Sequence, residues 1–339
     1  MKINQLLHDV LSFQHQSATE PTAAIYDLLD IVYTHCDADF TVDVDEHYNI
    51  IIRKGNTKEQ HNCIVAHYDQ IHPYNEDFTL QFISDNVYAI DSKTIEQIGV
   101  GGDDKCGIYI ALESLKRFEN LTVVFFSDEE IGCVGSSLID TSVFADCGMV
   151  IQCDRNGYFD VITHTNGVAV ANDDFMLHIN DLVRKYGFKR AMGTVTDVGE
   201  LKARGITCPM LNISSGYYNA HADIEYINLS DLANTLAFVL ELLERETTEE
   251  HHNFVFSDYG KYDDYMYYTP TTFIPDDNCL ICGSVTCYDE IERANYCNSC
   301  GMYVDCDYSV EDGSYLTDDE LRYYNYQKYS GTSKRKYTY

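Results

Sequence analysis

From residue 40 onwards, short apolar runs of strand length alternate with segments whose apolar residues recur at helical spacing. The runs 40–44, 49–53, 63–66, 78–90, 121–126, 149–151 and 210–213 read as strands. Segments 105–118, 173–187, 198–204 and 230–243 read as helices, capped in two cases by Asp173 or Asp174 and by Ser230. That alternation predicts a three-layer α/β/α fold: a mostly parallel sheet with helices on both faces. Two further helices precede it. One places Ile3, Leu6, Leu7 and Val10 inward. The other opens near residues 19–21 and turns Ile25, Leu28, Leu29 and Val32 to the core.

Composition removes several classes of function. The net charge of −32 disfavours nucleic-acid phosphates and anionic membrane surfaces as partners. No apolar run is long enough to span a bilayer, and the N-terminus lacks the apolar core of a secretion signal. Thirteen cysteines without such a signal read as reduced thiols or metal ligands in a cytoplasmic protein.

The chemistry gathers at the ends of these elements. His67, Glu129, Glu130, Asp154 and His221 lie just beyond apolar runs. Asp103, in the glycine-loosened stretch GVGGDDKCG (99–107), stands at a helix entrance. Each has an ordinary reading: a helix cap, a hydrogen-bonded histidine, a solvated turn. Together they match the crevice at the strand ends of an open α/β sheet. The residue types suit a hard cation that tolerates imidazole. The ligand groups exceed what one tetrahedral zinc takes, fit two metals sharing a bridging carboxylate, and leave one carboxylate over as a general base.

The segments AHYD (66–69), GGDDKCG (101–107), SDEEIGCVGS (127–136), CD (153–154) and TDVGELKARGITCPMLNISSGYYNAHADIEYI (196–227) resemble the dinuclear zinc peptidase and deacylase family that includes peptidase T, carboxypeptidase G and aminoacylase, with peptidase T the nearest. The resemblance covers roughly residues 5–245. It implies that Asp103 bridges two zinc ions or other divalent metals. His67 and Asp154 would complete one site, Glu130 and His221 the other. It further implies that Glu129 takes a proton from the attacking water and returns it to the leaving amine. Asp69 would orient His67, and the Asp103–Asp104 peptide would be cis.

The chain departs from that family in two places. Only 66 residues separate Asp154 from His221, too few for the lid and dimerisation domain the family usually inserts there. The arginine expected before Thr196-Asp197 is replaced by Gly193-Thr194-Val195, leaving Arg155 as a candidate anion clamp for substrate. Lidless relatives are aminopeptidases, so the resemblance favours removal of N-terminal residues from short peptides. One rival keeps the site and takes an N-acyl amino acid or amide as substrate. Another makes the catalytic fold inert and gives the work to the C-terminal region as an interaction module.

That region changes character. Residues 1–246 form the expected catalytic domain, and 247–275 read as an acidic, Tyr-rich linker. In 276–310, Cys279-x2-Cys282 and Cys297-x2-Cys300 have the spacing of a zinc ribbon around one structural zinc. Its single basic residue, Arg293, argues against nucleic acid. Sixteen of the 28 tyrosines fall after residue 250, so ribbon and tail (311–339) read as surfaces for protein contact.

Overall fold

The computed structural model describes residues 3–37 and 39–252, together with strand residues 286–289, 294–297 and 303–304. The chain divides into two compact units, Met1–Met266 and Tyr267–Tyr339.

In the first unit, α1 (Gln5–Ser12) starts at Asn4, whose side-chain oxygen accepts the Leu7 N–H at 2.8 Å. The cap places Ile3 outside the helix, 43 % exposed rather than inward as expected, and Leu11 completes the buried stripe. Helix α2 (Thr22–His35) buries Ala24, Ile25, Leu28 and Val32. Strands β1 (Phe40–Val44), β2 (Ile50–Lys54) and β3 (His61–His67) follow, then β4 (Phe78–Ile83), β5 (Asn86–Asp91) and β6 (Gln97–Ile98). The central helix α3 (Gly102–Arg117) leads into β7 (Leu121–Phe126), α4 (Val134–Leu138) and β8 (Cys147–Arg155). Next come β9 (Asp160–Thr165), β10 (Val168–Ala169), α5 (Asp173–His178), α6 (Asn180–Lys185), β11 (Lys189–Gly193) and α7 (Asp197–Ala203). The unit closes with β12 (Met210–Ser214), β13 (Tyr217–Tyr218), β14 (Tyr226–Asn228) and α8 (Leu229–Leu242).

The main sheet runs β1-β2-β7-β3-β8-β12-β9-β10, with β11 also on β9. Its centre, β7-β3-β8-β12, is parallel. The flanks β1-β2 and β9-β10 pair antiparallel, as short connections require. Adjacent residues serve opposite faces: Val123 and Phe125 pack with α1, α2, α3 and α8, while Val124 and Phe126 pack with Ile139, Phe144 and the α7 residues Val198 and Leu201. Burial on both sides explains why 121–126 (LTVVFF) is buried at every position and nearly all apolar instead of alternating. Residues 156–220, between Asp154 and His221, add β9 to β12 to this same sheet.

A second sheet, β13-β14-β5-β4 with β6 on β5, is antiparallel. It joins β4 and β5, which lie in the strand run read at 78–90, to residues far along the chain, Ile227 pairing with Val87.

Local chemistry moves three other boundaries. Asn172, not Asp173 or Asp174, caps α5 by accepting the Phe175 N–H at 2.8 Å. The single helix expected over 173–187 is broken at Ile179, whose ψ of 3° leaves the helical region. Asn228, not Ser230, caps α8, accepting from Ser230 and Asp231 N–H at 3.0 Å each. At the start of the segment read as linker, Glu249–His251 form a short 3-10 turn that packs the His251 ring 4.7 Å from His178.

In the second unit, β15 (Thr286–Asp289), β16 (Ala294–Cys297) and β17 (Tyr303–Val304) form an antiparallel sheet. Cys297 ends β16. Cys279, Cys282 and Cys300, with most of the linker and the whole tail, lie outside the described residues.

Candidate active site

The C-terminal ends of the parallel strands deliver the first side chains. His67 is the last residue of β3 and is fully buried. Its Nδ1 lies 2.9 Å from the backbone oxygen of Asp69. A carbonyl only accepts, so Nδ1 carries the hydrogen and Nε2 turns into the crevice. There Nε2 is 3.0 Å from Asp103 Oδ1, 3.9 Å from Asp154 Oδ1 and 4.0 Å from Glu129 Oε2. Asp103 lies in the first turn of α3, and the Asp103–Asp104 peptide is cis. The other oxygen of Asp103, Oδ2, is 3.3 Å from His221 Nε2, which is 2.9 Å from Glu130 Oε2.

Two triads therefore share one carboxylate: His67, Asp103 and Asp154 on one side, Asp103, Glu130 and His221 on the other. The sequence expectation placed these five together and the structure does so. One placement differs. His221 does not follow a strand of the main sheet. It sits at φ 64° in the turn between β13 and β14 of the second sheet.

Burial and mutual repulsion set the electrostatics. Burial works against charge on His67, yet hydrogen bonds to Asp103, Asp154 and Asp69 hold its pKa well above the usual histidine range. Contacts with Asp103 and Glu130 push His221 up to about 10. Burial, then the neighbouring Asp103 charge, raises Asp154 well above the carboxylate range. Burial likewise raises Glu129 to about 8, opposed by His67 and reinforced by Asp197. So much negative charge at short range calls for positive partners. Glu130 Oε1 is buried without a hydrogen-bond partner. That orphaned oxygen and the imidazole–carboxylate donor set fit divalent cations.

Asp69 was expected from the sequence; the supporting residues Ser17, Tyr217, Gln152, Cys133 and Asp197 were not singled out. The Asp69 carboxylate accepts from the N–H groups of Glu129 (3.0 Å) and Glu130 (3.3 Å) and from the Ser17 hydroxyl (2.7 Å). The Tyr217 hydroxyl donates to Asp154 Oδ1 at 3.0 Å. Gln152 donates to Asp154 (3.3 Å) and to buried Asp197 (2.9 Å). The Cys133 thiol reaches Glu129 Oε1 at 3.4 Å. Asp197 lay within a matching segment, but nothing in its spacing separated it from a helix cap. Asp104 accepts from the N–H of His67 (3.3 Å) and of Gly107 (2.9 Å). Arg155 pairs with Asp160 at 3.4 Å.

A model of the M42 glutamyl aminopeptidase family matches residues 83–238. The match supports a dinuclear zinc peptidase family. Among solved structures, an aminopeptidase PepT from Bacillus cereus is 12 % identical, with a TM-score of 0.54 over 71 % of this chain and 96 % of that one. A tripeptidase from Staphylococcus aureus is 12 % identical, with 0.53 over 71 % and 97 %. An aminopeptidase from the archaeon Desulfurococcus kamchatkensis is 14 % identical, with 0.52 over 72 % and 95 %. At these identities the likeness is one of fold. No curated protein matches the chain. The family match and the shared fold together support a metallopeptidase. No helix among the described residues is long and apolar enough to cross a membrane.

Proposed function

We propose that the chain is a metal-dependent aminopeptidase acting on short peptides through a two-cation centre. The observation that carries this is Asp103, which faces His67 with one oxygen and His221 with the other, at 3.0 and 3.3 Å. In this reading His67, Asp103 and Asp154 hold one cation, and Asp103, Glu130 and His221 the other. Cations bound there would polarise the scissile carbonyl and acidify a water.

The remaining chemistry falls to the chain. Glu129, with Oε2 turned toward the triads and Oε1 toward Cys133, is placed to hold the proton given up at the attack and to pass it to the departing amine. Asp69 fixes the backbone of Glu129 and Glu130, keeping base and ligand in register. Arg155, on the residue after Asp154, is the candidate for the substrate carboxylate if it exchanges Asp160 for it.

The names of the matched family and neighbours, aminopeptidases and a tripeptidase, favour free-amine peptides over N-acyl amino acids. The test is hydrolysis of a tripeptide against its N-acetylated form. Preference for the free amine supports the aminopeptidase. Cleavage of the acetyl group alone replaces it with the deacylase.

We also read zinc as the resident cation, residues 276–310 as a ribbon around a structural zinc, and the ribbon and Tyr-rich tail as protein-contact surfaces of a cytoplasmic enzyme. The cysteine spacing and the acidic composition support this.

A further inference from the structure

Below the shared carboxylate lies a second one that no ligand role explains. Glu225 is fully buried, four residues after His221 in the turn that presents it. Its Oε2 accepts the Gly101 N–H at 2.7 Å and lies 3.0 Å from His72 Nε2, and its Oε1 accepts the Asp103 N–H at 3.3 Å. A buried carboxylate is costly unless its oxygens are satisfied, and here three N–H groups do so. Two of the three belong to the backbone that presents Asp103. The packing leaves no slack: a Cβ at Gly99 would sit 2.0 Å from the His72 ring.

The turn carrying His221 needs such an anchor. Asn219 and His221 both hold positive φ, at 57° and 64°, which non-glycine residues keep only where their surroundings impose it. Within the turn, the Glu225 N–H donates to Ala222 O at 2.9 Å and the Asn219 side chain reaches Ile224 O at 3.4 Å. The side chain of Glu225 joins this turn to the start of α3.

We infer that Glu225 is a positioning residue that locks the His221 turn to the Asp103 turn and thereby sets the separation of the two triads. This rests on the two-cation reading above. Glu225 reaches the triads through the Asp103 backbone N–H and not through a ligand side chain. It acts through the Asp103 backbone on one side and the chain path to His221 on the other.

The test is calorimetric titration of the metal-stripped full chain with Zn2+ or Mn2+. The wild type binds two cations at the triads. Glu225→Gln puts an amide N–H against a backbone donor and weakens binding of the cation that uses His221 roughly tenfold to a hundredfold, the usual effect of losing an outer partner of a metal ligand. Raising the cation concentration restores kcat with KM unchanged, which loss of folded protein would not permit. His72→Ala removes one donor, spares both backbone contacts and weakens binding less. It serves in place of Glu225→Gln if that variant does not fold. Unaltered cation affinity in the folded variants overturns the inference. Absence of paired binding in the wild type would instead overturn the two-cation reading.

Discussion

The Asp69 carboxylate accepts the backbone N–H of Glu129 at 3.0 Å. A residue two places after a candidate ligand thus fixes the candidate base, which arrives from a different strand. Replacing Asp69 with alanine frees the N–H groups of Glu129 and Glu130 and leaves the Ser17 hydroxyl with the Gln70 carbonyl alone. We expect a loss of about 10- to 100-fold in kcat, with Asp69→Asn milder because it keeps one acceptor. Steady-state kinetics on a tripeptide measure this, and equal activity in all three proteins would remove Asp69 from the machinery.

Glu129→Gln keeps size and hydrogen-bonding shape but cannot hold the transferred proton. Turnover should fall by at least about 10²- to 10⁴-fold, the range of general acid–base catalysis. Elemental mass spectrometry should find the metal content unchanged. Loss of metal alongside activity would make Glu129 a ligand instead.

Cation binding should release protons. His221, held up at about 10 by Asp103 and Glu130, carries a proton in the cation-free protein at neutral pH. A cation takes the same nitrogen only after that proton leaves. Apparent affinity therefore falls as pH is lowered beneath that value. Calorimetry in two buffers of different ionisation enthalpy reads the protons directly. A buffer-independent heat near neutral pH would contradict the assignment of His221.

Deleting residues 276–310 should lower zinc by one per chain and leave the two cations at the triads. Elemental analysis of the full and shortened proteins checks it. An unchanged count refutes the ribbon.

Phe238 of α8 is fully buried, with its ring centroid 4.6 Å from that of Phe188 and tilted 31° to it. Phe238→Ala should cost about 3–5 kcal/mol in urea unfolding. A cost below about 1 kcal/mol would mean the site collapses around the gap.

The parallel centre of the sheet was legible because its strands are buried on both faces and so read as nearly continuous apolar runs, as 121–126 does with Thr122 its one polar residue. The five ligand candidates were legible because a chemistry confined to a few residue types stands out at strand ends. Helix starts were not, since Asn172 and Asn228 compete with adjacent Asp and Ser residues for the same N–H groups, and the choice is made by backbone direction. Phe238 was not singled out within the helix read at 230–243, because its ring partner Phe188 is distant in the chain. Glu225 was hidden for a deeper reason: its partners, Gly101 and Asp103, are distant in the chain, and nothing local to it reveals a contact of that kind.

The pairing of β14 with β5 also has a temporal meaning. His67, Asp103, Glu130 and Asp154 precede the turn that brings His221, and that turn is held by a strand synthesised long after its partner. A growing chain can assemble most of the parallel sheet and still lack the second triad until residues 226–228 emerge and find 86–87. Long-range closures of this kind form late in folding. The two triads are therefore complete only when the first unit itself is nearly complete.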